Sequence, residues 1–259
     1  MKKILLVIVA LVSMISTASA WNARQDEAAV ILAEKYLTPQ AIVLLHSHLG
    51  ENYADDIAYI YALEKKKQSP YSKSVHKLHL NMDLTPVEGG GDDALKALEE
   101  AMAIVRERTN HSRDEVTTAL RVIINLMCDI HNFANVSIEG VPHSQSDFAV
   151  QYLNGKNEVV RRKWSGFFTG YTSHHIGYSA AYWAEDFEVC WGPDMQQLSE
   201  GSLRRWVGQI GAKAAELYET ITPDRVMPLR ERLEYEPLAY KMAACTGFRL
   251  AALLNELVK

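Results

Sequence analysis

Cysteine is scarce in this chain, and the three cysteines that occur are far apart. Cys128, Cys190 and Cys245 form no closely spaced metal-binding motif, and their number excludes a small scaffold held by a disulfide framework. Because the count is odd, at least one thiol stays unpaired within a monomer. Cys128 lies in an apolar helical run and is predicted to be buried, whereas Cys190 and Cys245 are a candidate disulfide pair that the sequence leaves open.

Long hydrophobic runs are absent too, so no segment has the length expected of a membrane-spanning helix. The apolar stretch at residues 4–12 is short, follows two lysines, and is followed by small residues at positions 18–20. This is the pattern of a secretory signal peptide cleaved after Ala20. We therefore expect residues 1–20 to be removed, Trp21 to become the N-terminus, and the protein to be secreted or periplasmic.

Positive charge is in deficit, with 27 Lys and Arg against 32 Asp and Glu. Removing the two lysines of the signal peptide leaves 25 basic against 32 acidic residues, a formal charge of −7. Such a chain does not attract phosphate backbones through its overall charge, so a bound metal or a local patch would have to do so. Since neither a linker nor an internal repeat interrupts residues 21–259, we predict one domain there.

Helical periodicity dominates the mature chain and predicts an all-α, single-domain helical bundle. Thr38 before Pro39, and Ser112 with Glu115 three residues later, are typical helix starts. Residues 148–153 are predicted as a short strand or hairpin arm. The predicted helices are residues 26–36, 39–48, 55–67, 93–108, 113–130, 178–189, 200–220 and 238–258.

Asn125 and Asp129 are four residues apart in an otherwise apolar helix, so they share one helix face. Burying two polar side chains is costly unless they have partners. Two interpretations stay open: a pair of satisfied hydrogen bonds in the core, or part of a functional site.

Several further residues, in order along the chain, favour a functional site. Trp21 is at the predicted new terminus, Asp55 follows Tyr53-Ala54, and His79 stands in an irregular stretch. The C-terminal segment reads Thr246-Gly247-Phe248-Arg249-Leu250-Ala251-Ala252-Leu253-Leu254-Asn255. Together with Asp129, this ordered set resembles the zinc-dependent single-strand nucleases named after nucleases S-one and P-one, which share a fold superfamily with bacterial zinc phospholipase C. The resemblance implies an all-α bundle of that type.

The resemblance also implies a metal site, reduced from the three zinc ions of the family. Trp21, Asp55, His79 and Asp129 match the family's ligand positions, while Asp26 and Asn125 stand where the family has histidine. Two ions would share Asp129. The implied metal ligands are Trp21, Asp26, Asp55, His79, Asn125 and Asp129.

The resemblance also implies that the family's third zinc site has no protein ligands in this chain. The two late histidines and the late aspartate of the family correspond to Asn135, Arg161 and Ser165. Arginine has no lone pair to offer a cation, and its charge opposes one. The remaining ligands are rich in oxygen, which suits Mn, Mg or Ca as well as zinc. The expected cofactor is therefore one or two zinc ions, a harder divalent cation, or none.

Two functions follow from the resemblance. In the first, the protein hydrolyses single-stranded nucleic acid, a nucleotide or another phosphoester, with Asp55 and Arg161 as candidate catalytic residues. Arg161 also has a plainer interpretation, a solvated side chain in a basic run. In the second, the protein is a non-catalytic relative that binds a ligand in its cleft. We expect a monomer in either case.

For a non-catalytic, ligand-binding relative, one stretch of the sequence is a candidate lining of the cleft. This aromatic and imidazole-rich stretch comprises Tyr171, His174, His175, Tyr178, Tyr182 and Trp183. An amphipathic core helix after a surface loop is the other interpretation of the same stretch.

Overall fold

The computed structural model describes residues 23–54, 73–87, 93–168 and 178–259, and this part of the chain is mostly helical. The predicted helix at residues 55–67 lies outside it. The helices are α1 Ala23–Glu34, α2 Pro39–Leu49, α3 Ala94–Arg106, α4 Arg113–Ile130, α5 Trp164–Phe167, α6 Ala180–Trp191, α7 Met195–Ser199, α8 Leu203–Thr220, α9 Leu229–Glu234 and α10 Glu236–Leu257.

Short strands accompany the helices, so the expectation of an all-α chain is correct only at the coarser level of a mostly helical fold. The strands are β1 Leu78–Leu80, β2 Val136–Ile138, β3 Ala149–Leu153, β4 Val159–Lys163 and β5 Val226–Met227. β1 pairs in parallel with β2, and the second sheet has the order β4-β3-β5. The strand or hairpin arm predicted at residues 148–153 is β3, which pairs antiparallel with β4.

Local capping sets the helix starts as the sequence predicts. The Thr38 hydroxyl accepts a hydrogen bond from the Ala41 main-chain N–H, and Pro39 occupies the first turn of α2. At α4, the Ser112 side chain accepts from the Glu115 main-chain N–H, and the Glu115 carboxylate accepts from the Ser112 main-chain N–H. This reciprocal capping box satisfies two donors that the first turn would otherwise leave unpaired.

Substituting Ser112 by alanine is expected to lower the free energy of unfolding by about 1 kcal/mol, because the cap of α4 is lost. Urea unfolding measures the change, with an unaltered slope. Ser47→Ala, an exposed serine in α2, is the matched control and should stay within about 0.5 kcal/mol of the parent. Equal effects at the two serines would contradict the role of the cap.

The core lies where four helices meet. α3 packs along α4, and α1 packs along α10, so that α4 and α10 form the centre. Every residue of α4 from Val122 to Ile130 is buried, including Asn125 and Asp129. These two polar groups therefore lie inside the bundle, largely shielded from bulk water, and need partners there. Within the described residues, no helix is both long and apolar enough to cross a bilayer.

All three cysteines are free thiols in the structure. Cys128 is buried, as predicted. The candidate pair of Cys190 and Cys245 is not formed, because Cys190 is exposed on α6 whereas Cys245 is buried in α10.

Candidate functional site

Asp129, in the last turn of α4, is the centre of a buried polar cluster. The residue is only 3% exposed, and both carboxylate oxygens accept hydrogen bonds. His76 Nδ1–H donates to Oδ2 at 2.6 Å, and Asn135 Nδ2 donates to Oδ1 at 3.3 Å. The same amide of Asn135 also donates to the main-chain oxygen of Asp129 at 3.1 Å. The position and orientation of the carboxylate are therefore fixed by two side chains from outside the helix.

Asp26 approaches this cluster from α1. Its side chain is 1% exposed, and its carboxylate accepts a hydrogen bond from the thiol of Cys128, the residue before Asp129. Burial raises the pKa of the Cys128 thiol well above its usual range, and the negative charges of Asp26 and Asp129 raise it further. Two buried carboxylates thus flank one neutral thiol, which concentrates negative charge between α1 and α4.

Asn125 lies one turn before Asp129 on the same face of α4. Its side chain is 5% exposed, and its Oδ1 atom is buried without a hydrogen-bond partner. An unsatisfied buried acceptor costs roughly 1–3 kcal/mol. An amide oxygen next to a carboxylate in this state is suited to a cation.

The cluster supplies part of a metal site. In the described part of the chain, no group of three or more His, Cys, Asp or Glu side chains is arranged to hold a metal ion. The available donors are two carboxylates and the amide oxygen of Asn125, an oxygen set that fits a hard divalent cation better than zinc. Trp21 and Asp55, two of the predicted ligands, lie outside the described residues.

The imidazole that contacts Asp129 belongs to His76, not to the predicted ligand His79. His79 is in β1, between the buried Leu78 and Leu80, so its side chain is on the opposite face of the strand. Its main-chain N–H donates to Asp93 Oδ2 at 2.8 Å. His76 ends a 3-10 turn just before β1 and is 4% exposed. Nothing in the sequence favours His76 over His79 as the partner of Asp129, because the same irregular stretch contains both histidines.

The positions that correspond to the third zinc ion carry other interactions. Arg161 is exposed on β4, where its Nε donates to Gln151 Oε1 at 3.1 Å across the hairpin. Ser165 is held by Asp147, which accepts from its main-chain N–H at 2.8 Å and from its hydroxyl at 2.9 Å. Only Asn135, of these three positions, contacts Asp129. The plainer interpretation of Arg161 as a solvated side chain therefore agrees with its exposure.

A second buried network lies directly after the cluster. His131 Nδ1–H donates to the Met127 carbonyl at 2.7 Å, and its Nε2 accepts from Arg249 Nη1 at 3.3 Å. Burial, followed by the positive charge of Arg249, lowers the pKa of His131 to about 3. The imidazole is thus neutral and serves as an acceptor for the arginine, which connects the end of α4 to α10.

The aromatic stretch predicted as a cleft lining is divided between core and surface. Trp183 is buried against α1, whereas Tyr178 and Tyr182 are exposed. Tyr171, His174 and His175 lie outside the described residues. The plainer interpretation of an amphipathic helix fits α6, which has Trp183 on its buried face and Tyr182 on its outer face, while Tyr178 precedes the helix.

No known protein family matches the chain, and no characterised protein matches it in sequence. The relation to the zinc-dependent nucleases therefore rests on the ordered residues of the sequence, and it stays a prediction.

Proposed function

We propose that the cluster around Asp129 binds a divalent cation, and that the chain uses it to hydrolyse a phosphoester as a divergent relative of the zinc-dependent nucleases. The observation that carries the proposal is the buried Asn125 Oδ1, which has no hydrogen-bond partner and is one turn from Asp129. A cation would satisfy this oxygen and neutralise Asp26 and Asp129 together. Three positions that the resemblance assigns to one site are thereby explained by one ligand.

Asp26, Asn125 and Asp129 would hold the ion, with Trp21 and Asp55 as the further predicted ligands. A divalent cation supplies Lewis acidity to a phosphoester oxygen and activates water for attack. The chain's own contribution is orientation. His76 and Asn135 hold the two oxygens of Asp129 in place, and such supporting contacts change metal affinity or activity by about 10–100-fold when they are removed.

The proposal predicts that the purified protein binds a metal ion and that this binding depends on the cluster around Asp129. Elemental analysis of the purified protein, supplied in turn with Zn, Mn and Mg, should find at least one ion per chain. Asp129→Asn should weaken metal binding by more than about 100-fold, beyond the usual effect of a supporting residue. Hydrolysis of single-stranded DNA and of a phosphomonoester should fall in parallel.

Asp114→Asn is the matched control, since Asp114 is an exposed carboxylate at the other end of the same helix. Its metal content and activity should equal those of the parent. If the parent holds no stoichiometric metal with any of the three cations, the proposal is wrong.

A non-catalytic relative is the second candidate, and one observation favours it. Both oxygens of Asp129 already accept hydrogen bonds from the protein, and Arg161 and Ser165 are engaged at the surface. In that case the metal-free protein should be fully folded and should bind ligand without turnover. The same hydrolysis assay, run beside a binding assay, separates the two candidates.

A further inference from the structure

Strand β4 forms one edge of the second sheet. In the order β4-β3-β5 it has a neighbouring strand on one side only, within the described residues. The strand contains neither proline nor glycine, and its antiparallel pairing with β3 is unbroken from Val159, opposite Leu153, to Lys163, opposite Ala149. A regular edge strand of this kind can accept a further strand through its main chain.

The pairing with β3 determines which main-chain groups of β4 face the edge. Just beyond the strand, the Trp164 N–H donates to the Phe148 carbonyl at 2.8 Å. Hydrogen-bonded and non-hydrogen-bonded pairs alternate in an antiparallel ladder, so the main-chain groups of Val159, Arg161 and Lys163 point away from β3. Each of these three residues therefore presents an N–H and a carbonyl to an incoming strand.

The side chains of β4 make this edge basic. Arg161, Arg162 and Lys163 are all exposed, and Val159 before them is 53% exposed. Of the three cations, only Lys163 is within ion-pair distance of a carboxylate in the described part of the chain, with Asp147 at 3.7 Å. Three consecutive positive charges repel a second copy of the same strand and attract an acidic strand, because like charges opposite each other destabilise a sheet.

We propose that β4 binds an extended, acidic peptide segment of a partner protein, which adds to the edge as an antiparallel strand. The main chain of β4 supplies the hydrogen bonds, and the side chains select the partner. Acidic residues of the segment lie opposite Arg161, Arg162 and Lys163, and an apolar residue lies opposite Val159. Strand addition at β4 does not depend on the proposed hydrolysis, because Asp129 takes no part in it.

A fluorescein-labelled peptide of sequence Thr-Glu-Glu-Glu-Val-Val-Thr is the probe, and its binding to the full chain is measured by fluorescence anisotropy. In the antiparallel register, its glutamates lie in order opposite Lys163, Arg162 and Arg161, and its second valine lies opposite Val159. The same peptide with lysine in place of each glutamate should bind more weakly by about tenfold or more, because every cross-strand charge pair becomes repulsive. Absence of binding by the acidic peptide would overturn the proposal.

Methylation of single main-chain nitrogens separates strand addition from simple charge attraction. The N–H of the third glutamate, opposite Arg161, points towards β4 and should donate to it, so its methylation should weaken binding by roughly tenfold. The N–H of the second glutamate, opposite Arg162, points away from β4, and its methylation is the matched control. Equal affinities of the two methylated peptides would show that no strand is added.

Charge reversal in the protein tests the side-chain contribution. Arg162→Glu should weaken the acidic peptide and strengthen the lysine peptide, each by up to about tenfold. Lys96→Glu makes the same change at an exposed position on α3 and should leave both affinities unchanged. Equal effects of the two substitutions would mean that only the net charge of the protein matters.

A single-stranded oligothymidylate is added as a competitor, since a basic strand can also attract a nucleic acid. It should displace the acidic peptide no better than free glutamate at equal charge concentration does. Displacement at a concentration that is lower by about tenfold or more would identify the edge as a nucleic-acid surface and would overturn peptide binding as its role.

Discussion

Replacing Gly247 with alanine is expected to lower the free energy of unfolding by about 2–3 kcal/mol, the upper part of the usual range for overpacking a core. A Cβ at this position would lie 2.7 Å from the main-chain oxygen of Ala29 and 3.0 Å from Leu32 Cβ. Both contacts are with α1, and a main-chain oxygen cannot rotate away as a side chain does. The two helices would have to separate, and that would also displace Asp26 from the Cys128 thiol.

Gly208→Ala is the matched control for this substitution. Gly208 lies within α8, and a Cβ built there meets nothing within 4 Å. Alanine should therefore raise the free energy of unfolding by about 0.5–1 kcal/mol through its better helix propensity. Urea titration of both variants gives the comparison, and a stabilised Gly247→Ala would show that α1 and α10 do not approach each other as closely as the structure has them.

The helices could be predicted from the sequence because their signals are local. The capping box at Ser112 and the proline after Thr38 determine where α4 and α2 begin, and both starts are found where predicted. The strands were harder to predict. β1 and β2 have three residues each, too few for a periodic pattern, and they form by pairing with each other across a long stretch of chain.

The candidate site could be predicted only in part, for a similar reason. Asn125 and Asp129 share a helix face, so their proximity follows from spacing alone. Which histidine reaches Asp129 is decided instead by how the chain enters β1. The strand alternation puts His79 on the face opposite Leu78 and Leu80, while the preceding turn directs His76 inward. No local pattern distinguishes these two histidines before the strand pairing is known.

Arg161 shows what a position in an ordered motif does not predict, namely where its side chain lies in the fold. Its position in the ordered motifs suggested a catalytic role, yet its neighbours in the fold are those of a hairpin strand, where Gln151 is directly opposite. A motif position identifies a residue type and an order along the chain. It does not fix which face of a two-stranded hairpin the side chain occupies, because that depends on the register of the pairing.

Removing the guanidinium of Arg249 is the second substitution with a large expected effect. Its Nε donates to the Leu198 carbonyl at 2.9 Å, its Nη2 to Gln209 Oε1 at 2.6 Å, and its Nη1 to His131. Arg249 is 6% exposed, so Arg249→Ala leaves these acceptors without a donor and should lower the free energy of unfolding by about 3 kcal/mol. Urea unfolding monitored by circular dichroism measures the loss.

Arg205→Ala is the comparison that separates the effect of losing a buried arginine side chain from the effect of losing a positive charge. Arg205 is exposed on α8 and is 3.9 Å from the Glu200 carboxylate, an ion pair that contributes little in water. Its removal should change stability by less than about 0.5 kcal/mol. Equal effects of the two substitutions would mean that Arg249 acts only as a surface charge. A large difference, as expected, would support the role of the buried Arg249 side chain in joining α7, α8 and α10 to His131 at the end of α4.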